Sequence, residues 1–411
     1  MKNRFFLILA CLIFSANSLF SQQGFQGISG INFENYPRVD GSTSARALNR
    51  MIACKLLGIH YTWEMITGNP VFTPMYYEWV VTPDSKDIPN QYKVEFFSER
   101  VATSQTHGAF MNLINGEADI ILTHRTISPD EKAYADAGSV ALNETSIALD
   151  ALVFIVNPSN SVKSLTVEQV QKIYTGEITH WSEVGGNNAN IDVFTRPRNS
   201  GSEEVFRTLV MHGIEPFDFP AVSEIGGMAQ VFGEVRNSNG ICYTFNNYKD
   251  MIVRVSDSEV PKIAINNIFP DENTVKSKTY PFISEVHVAI RSDLDRNSMA
   301  YKLYEWLQSE DAKSTIIECG FIPSGDYESS IIEQINNKSI QIIPNLTERV
   351  IQIRGIYDLS NFTYKIYNSI GQLIQSGNLK QTIDLPSSKG LNILTIMQNQ
   401  KIVTREKIIV K

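Results

Sequence analysis

Between Asn35 and about Ile340 short apolar strands alternate with amphipathic helices, and this alternation restricts the chain to an α/β fold. Past Pro344 the helical pattern stops. Short alternating strands follow at Val350 to Ile353, Tyr364 to Tyr367, Leu373 to Gln375, Gln381 to Leu385, Ile393 to Ile396 and Ile402 to Val410, with turn residues at Asn368 to Gly371 and Pro386 to Gly390. Several short strands separated by Gly-containing turns predict a small β-sandwich. Charge changes at the same place: from Gln341 onward nine basic and four acidic residues leave a net +5, so the remainder carries −13 of the chain's total of −8. The expectation is an acidic α/β body followed by a basic all-β module at 342–411.

The first residues have a different purpose. Lys2 and Arg4 precede the apolar run Phe5 to Phe14, and small residues Ser18 and Ser21 follow, which is the order of a secretory signal over residues 1–21. The run is about half the ~20 residues a spanning helix needs. Lipoprotein processing at Ile8-Leu9-Ala10-Cys11 is the alternative. Export to the periplasm, cell surface or extracellular space is expected either way. Cys54, Cys242 and Cys319 would remain, an odd number without a C-x-x-C pair. One disulfide with a free thiol and three buried thiols both fit. Zinc-ligand spacing is absent, and no metal or cofactor is expected.

Within the body, three junctions share one construction, with small hydroxyl or amide residues and a Gly directly before a helix. The first is Asp40-Gly41-Ser42-Thr43-Ser44, leading into a helix whose apolar residues Ala45, Leu48, Ile52 and Leu56 recur at helical spacing. The second is Thr103-Ser104-Gln105-Thr106-His107-Gly108, opening a helix predicted over Ala109 to Asn115; the following strand Asp119 to Leu122 ends at Thr123-His124-Arg125-Thr126. That end is a carboxyl edge, where open α/β sheets bind ligands. The third is Arg196-Pro197-Arg198-Asn199-Ser200-Gly201-Ser202, before Glu203-Glu204-Val205-Phe206. A single Ser or Thr suffices to cap a helix. Repeated hydroxyls beside unpaired helix-start N–H groups also make an oxyanion cradle, and an Arg four residues ahead of Ser-Gly-Ser can grip two oxygens.

The acidic balance disfavours nucleic acid, because phosphate-backbone affinity needs clustered Lys and Arg. A small anion is not disfavoured, since its attraction can come from local donors. Without Lys2 and Arg4 the body stands at −15, so such recognition must act at short range. No G-x-S-x-G elbow, H-E-x-x-H helix or Walker loop is present, and Glu203 and Glu204 sit in a helix first turn where the dipole explains them. The chain is therefore read as a binding protein and not an enzyme. The alternatives are a phosphate-ester hydrolase with Ser42 or Ser200 as nucleophile and His107 or His124 as base, and a surface adhesion protein that keeps the scaffold.

Taken in order, the three loops resemble the high-affinity phosphate-binding proteins of bacterial ABC importers. The most specific stretches are Val170 to Gly186 (VQKIYTGEITHWSEVGG) and Arg196 to Phe206, with further matches at His107 to Asp119, Gly240-Ile241-Cys242-Tyr243, Tyr280-Pro281 and Gly320-Phe321-Ile322-Pro323. The resemblance implies a periplasmic-binding-protein fold, with lobe one at 36–153 and 288–335, lobe two at 154–287, and crossing strands near Phe154 to Asn157 and Glu285 to Ile290. It implies capture of inorganic phosphate or a similar tetrahedral oxyanion, with Ser42 and Thr43 on the family's first anion loop, Gln105 and Thr106 on its second, and Arg196, Ser200, Gly201 and Ser202 on its third; Ser44, His107, His124 and Arg125 join the expected ligand set by their own places in the loops and at the strand edge, and a monomer is expected. The family's ligand carboxylate, which accepts the proton of hydrogen phosphate and repels sulfate, falls at His124 with Arg125 next. The module at 342–411, through Tyr367 to Ile374, Ile383-Asp384-Leu385, Gly390 to Ile393 and Lys407 to Lys411, resembles the C-terminal sorting domain of the Bacteroidota type IX secretion system. The partners thus implied are an ABC permease or outer-membrane secretion machinery, and the roles are uptake, scavenging or sensing.

Overall fold

The computed structural model describes residues 27–66, 78–93, 95–219 and 228–325, and in the C-terminal segment 341–345, 350–354, 362–368, 372–380, 382–384, 390–398 and 401–410. The expected signal at 1–21 lies outside these residues. The chain divides into two compact units, Met1–Ser324 and Gly325–Lys411.

In the first unit, strands β1 (Val39–Gly41), β4 (Ile120–Thr123), β5 (Leu142–Val156), β7 (Asp192–Val193), β8 (Gly240–Phe245), β10 (Ile283–Arg291) and β11 (Ile322–Pro323) form one mixed sheet, in the order β1-β4-β10-β5-β8-β7 with β11 on β5. β1 runs parallel to β4 and β7 parallel to β8; the central pairings are antiparallel. β2 (Tyr61–Ile66) and β3 (Glu78–Pro83) make a separate antiparallel ribbon, and β6 (Ser164–Leu165) pairs with β9 (Ala264–Ile265). The helices are α1 (Arg46–Leu57), α2 (Phe96–Arg100), α3 (Gln105–Ile114), α4 (Pro129–Ala137), α5 (Val167–Tyr174), α6 (Gly201–Val205), α7 (Gln230–Arg236), α8 (Glu272–Lys276), α9 (Met299–Trp306) and α10 (Glu310–Glu318).

The element that organises the sheet is β5. Its burial is unbroken from Ile147 to Val156, as a strand covered on both faces requires. Residues 142–151 pair with β10, then the strand changes partner and 152–156 pair with β8. One continuous strand therefore belongs to two parts of the sheet, with the exchange between Ala151 and Leu152. Around its second half the aromatic rings of Phe154, Tyr174, Phe206 and Tyr243 pack together, Phe206 lying 4.3 Å from Tyr243 and parallel to it within 6°. Such pairs add about 0.5–1.5 kcal/mol beyond their area. They fix α6, which continues through Phe206–Met211 as a wider turn, against β8.

α1 follows its sequence period closely, with Leu48, Ile52 and Leu56 buried along it, Ala45 buried just before it, and Gly58 closing it in the left-handed conformation at φ 69°. The helix after the second junction, α3, departs from expectation. It begins at Gln105, four residues before Ala109, because Ser104 is anchored by Asp40 and Gln105 takes φ 63° to start the turn there. Cys54, Cys242 and Cys319 are all free and buried, so the three-thiol alternative holds. Among the described residues no helix is long and apolar enough to cross a membrane, and no His, Cys, Asp and Glu cluster could hold a metal.

Among its described residues the second unit holds two antiparallel sheets: β12 (Gln341–Asn345), β13 (Val350–Arg354) and β16 (Thr382–Asp384) in the order β12-β13-β16, and β14 (Phe362–Asn368), β15 (Leu373–Asn378), β17 (Gly390–Gln398) and β18 (Lys401–Val410) in the order β15-β14-β17-β18. Ile351, Ile353, Phe362, Ile366, Leu379, Ile383, Leu394 and Ile396 form its own core, as the alternating pattern requires of packed sheets.

Candidate functional site

β1 ends at Gly41, opposite Leu122 of β4. A Cβ there would stand 2.6 Å from the Leu122 carbonyl oxygen, so only glycine permits this approach. Ser42 then caps a short 3₁₀ turn, Thr43–Ala45, its hydroxyl accepting from the Ala45 N–H at 3.3 Å. Asp40, buried behind it, accepts from the N–H groups of Gly41 (2.7 Å) and Ser104 (2.9 Å) and from the Asn112 amide (2.7 Å). One carboxylate thus ties the first loop to the start of α3.

The third loop arrives from the other end of the sheet. The Arg196 N–H donates to the Tyr243 hydroxyl at 3.1 Å, and that hydroxyl donates to Glu203. Asn199 takes φ 66°, and Ser200 caps α6 by accepting from the Glu203 N–H at 3.3 Å. Gly201 lies against Thr106 of α3; a Cβ added to it would stand 2.5 Å from the Thr106 hydroxyl oxygen.

These three segments enclose one cavity of about 310 Å³. Its wall holds Ser42, Thr43 and Ser44 from the first loop, Gln105, Thr106, His107 and Gly108 from the second, and Arg196 through Ser202 from the third, with Met228 and Phe245. A water's share of the liquid is about 30 Å³, so the space suits a small oxyanion with ordered water. Helix-start N–H groups at two of the loops have no intrahelical acceptor, and the dipole adds positive potential there.

No acidic residue is among these lining residues, although the body is strongly acidic. The nearby carboxylates are occupied. Glu131 receives Arg125 through two bonds of 2.7 and 2.8 Å and faces His107 Nδ1 at 2.9 Å; burial raises its pKa, but the Arg125 bonds outweigh this and hold it below the ordinary carboxylate range. Glu203 accepts from Arg207 at 2.6 Å, and Glu215 accepts from Arg207 (2.8 Å) and Arg198 (3.0 Å).

Ten of the twelve expected residues therefore line the cavity: Ser42, Thr43, Ser44, Gln105, Thr106, His107, Arg196, Ser200, Gly201 and Ser202. His124 and Arg125 do not. Arg125 is turned into its bidentate pair with Glu131 and lies over the Phe110 ring. His124 is fully buried behind Ser44, whose hydroxyl is 2.7 Å from His124 Nδ1, and its Nε2 faces Asp150 at 3.2 Å. Sequence reasoning missed Asp40 and Asp150, which support the wall without touching it, and Met228, which follows no motif. Phe245 had a signal, since it ends β8 at a strand edge.

A PBP superfamily domain matches residues 65–375. The chain belongs to the PBP superfamily. Among curated relatives of this PBP-superfamily chain, the phosphate-binding protein PstS of Bacillus subtilis is 25% identical over 211 residues, covering 51% of this chain and 66% of that protein. PstS of Borreliella burgdorferi is 24% identical over 182 residues, covering 44% and 65%. The matches thus span just under two thirds of these relatives' lengths. Among solved structures, an ABC-type phosphate transport receptor from Vibrio cholerae is 23% identical and covers 69% of this chain and 98% of its own, with TM-score 0.47. PstS from Borrelia burgdorferi is 18% identical and covers 70% and 98%, with TM-score 0.41.

Proposed function

We propose that the protein is a secreted solute-binding protein that captures inorganic phosphate, or a similar tetrahedral oxyanion, in the cavity between the three hydroxyl-bearing loops. The observation that carries this is the wall itself: two arginines, a histidine and six hydroxyl side chains beside helix-start N–H groups, with no carboxylate among the lining residues. The names of the relatives agree with it. The two parts of the sheet act as lobes, 36–153 with 288–335 and 154–287, and close on the ligand about the point where β5 changes partner. The protein acts by binding and release and not by turnover. Residues 1–21 direct export and the C-terminal unit directs passage through outer-membrane secretion machinery, so the bound phosphate serves scavenging, sensing or delivery to an ABC permease.

Calorimetry of the mature chain against phosphate, sulfate, arsenate and a phosphate monoester tests this. Phosphate and arsenate should bind, and phosphate at a hundredfold excess over Kd should add about 2.7 kcal/mol to the unfolding free energy. Absence of binding heat and of stabilisation by every oxyanion would overturn the proposal.

A further inference from the structure

We propose that His124 selects the protonation state of the bound oxyanion from behind the wall, through a relay that runs from Ser42 and Ser44 to His124 and Asp150. This rests on the oxyanion reading above and specifies how that site discriminates. The relay is continuous: Ser42 Oγ to Ser44 Oγ 3.1 Å, Ser44 Oγ to His124 Nδ1 2.7 Å, His124 Nε2 to Asp150 Oδ2 3.2 Å. Its first two members line the cavity, and its last two are buried.

Proton direction follows from the far end. Asp150 Oδ1 accepts from the N–H groups of Ala151 (2.8 Å) and Asn247 (3.0 Å), which pins the carboxylate and leaves Oδ2 to accept from His124 Nε2–H. A neutral ring protonated at Nε2 has an acceptor at Nδ1, so Ser44 must donate inward. Ser42 accepts from the Ala45 N–H and donates to Ser44. Both hydroxyl protons are then consumed within the protein, and the oxygens turned to the cavity are acceptors. They favour a ligand that carries its own proton, as hydrogen phosphate does and sulfate does not. When His124 is protonated, Nδ1–H donates to Ser44, the hydroxyl protons are released toward the cavity, and a bare dianion becomes acceptable.

The ring has little freedom to avoid these roles, because it stacks on Phe245 at 4.3 Å and touches Phe321 at 5.5 Å. The charged and titratable groups around it are Asp150 on β5, His287 on β10 and the adjacent Arg125, already paired with Glu131. From β8 and the segment before β11, the Phe245 and Phe321 rings face it.

Asp150→Asn is the direct test. The two backbone N–H groups hold the amide oxygen, so the Asn amide N–H₂ faces Nε2 and forces the neutral ring to carry its proton on Nδ1. Nitrogen-resolved NMR should show the His124 Nε2–H form in the parent chain and the Nδ1–H form in the variant. Calorimetry at about pH 8 should show the phosphate-over-sulfate preference falling roughly tenfold or more in the variant. The ratio is the readout because removing a carboxylate strengthens every anion. Ser44→Ala, which cuts the relay without touching the buried pair, should also lower the ratio. Phosphate binding with an unchanged ratio in both variants, or an Nδ1–H ring in the parent chain, would overturn the relay while leaving phosphate capture intact. Failure of the parent chain to bind any oxyanion would overturn both. Turnover of a phosphate ester lost in Ser44→Ala would replace selection by catalysis and overturn it too.

Discussion

Gly201→Ala tests whether the second and third loops meet as the structure has them. Gly201 is the first residue of α6, in ordinary helical conformation, so alanine brings no backbone strain and even gains up to about 1 kcal/mol of helix propensity. What opposes it is the contact at 2.5 Å with the Thr106 hydroxyl oxygen, about 0.9 Å inside the 3.4 Å edge of ordinary contact. Thr106 is buried and its branched side chain has few rotamers, so the loops themselves must separate. Overpacking of this kind costs about 1–3 kcal/mol, which, where closure on the ligand bears it, corresponds to roughly a fivefold to 150-fold loss of phosphate affinity. The control is the double variant. Without the hydroxyl, the nearest remaining atom is the residue-106 Cβ at 3.5 Å, an ordinary contact, so Gly201→Ala should cost almost nothing in a Thr106→Ala background. The assay is calorimetry with phosphate on all four chains of the cycle. An unchanged affinity in Gly201→Ala, or the same loss in both backgrounds, would refute the proposed approach of the loops.

Arg196→Ala should weaken phosphate binding by about 2–3 kcal/mol through loss of charge-assisted bonds, and an unchanged Kd would remove Arg196 from the site. The thiols should be unreactive in the folded chain: burial pushes Cys54 and Cys242 each up to about 12 and Cys319 higher still, so a thiol reagent near pH 8 should label these three only after denaturation. Glu131 has its folded pKa below its unfolded one, so its contribution to stability is present above the ordinary carboxylate pKa and is lost as pH falls through the folded value. Denaturant melts of Glu131→Gln should therefore show lower stability than the parent at neutral pH and a flatter decline below about pH 4.

Much of the site was legible because its chemistry is local. A Ser or Thr before a helix, a Gly that permits a close turn and an Arg at a fixed offset from Ser-Gly-Ser are all short-range patterns, and ten residues chosen on them line the cavity. His124 and Arg125 were legible as a strand end, but position on a strand does not say which way a side chain is satisfied. Glu131, six residues beyond Arg125 and on α4, takes that guanidinium; Asp150 and Ser44 take the imidazole. The early start of α3 was hidden for the same reason, since Asp40 lies 64 residues from the Ser104 N–H it holds.

The α/β body, the separate all-β unit and the three loops as candidates for a small anion all follow from the amino-acid order, because period, capping and net charge are properties of neighbouring residues. The tertiary structure decided that the loops share one cavity and that no carboxylate is among its lining residues, since both depend on contacts across the sheet. It decided as well that His124 stands one hydroxyl behind the wall. A buried imidazole takes its proton pattern from partners 80 and 26 residues away in the chain, and only folding brings Ser44 and Asp150 to its two nitrogens.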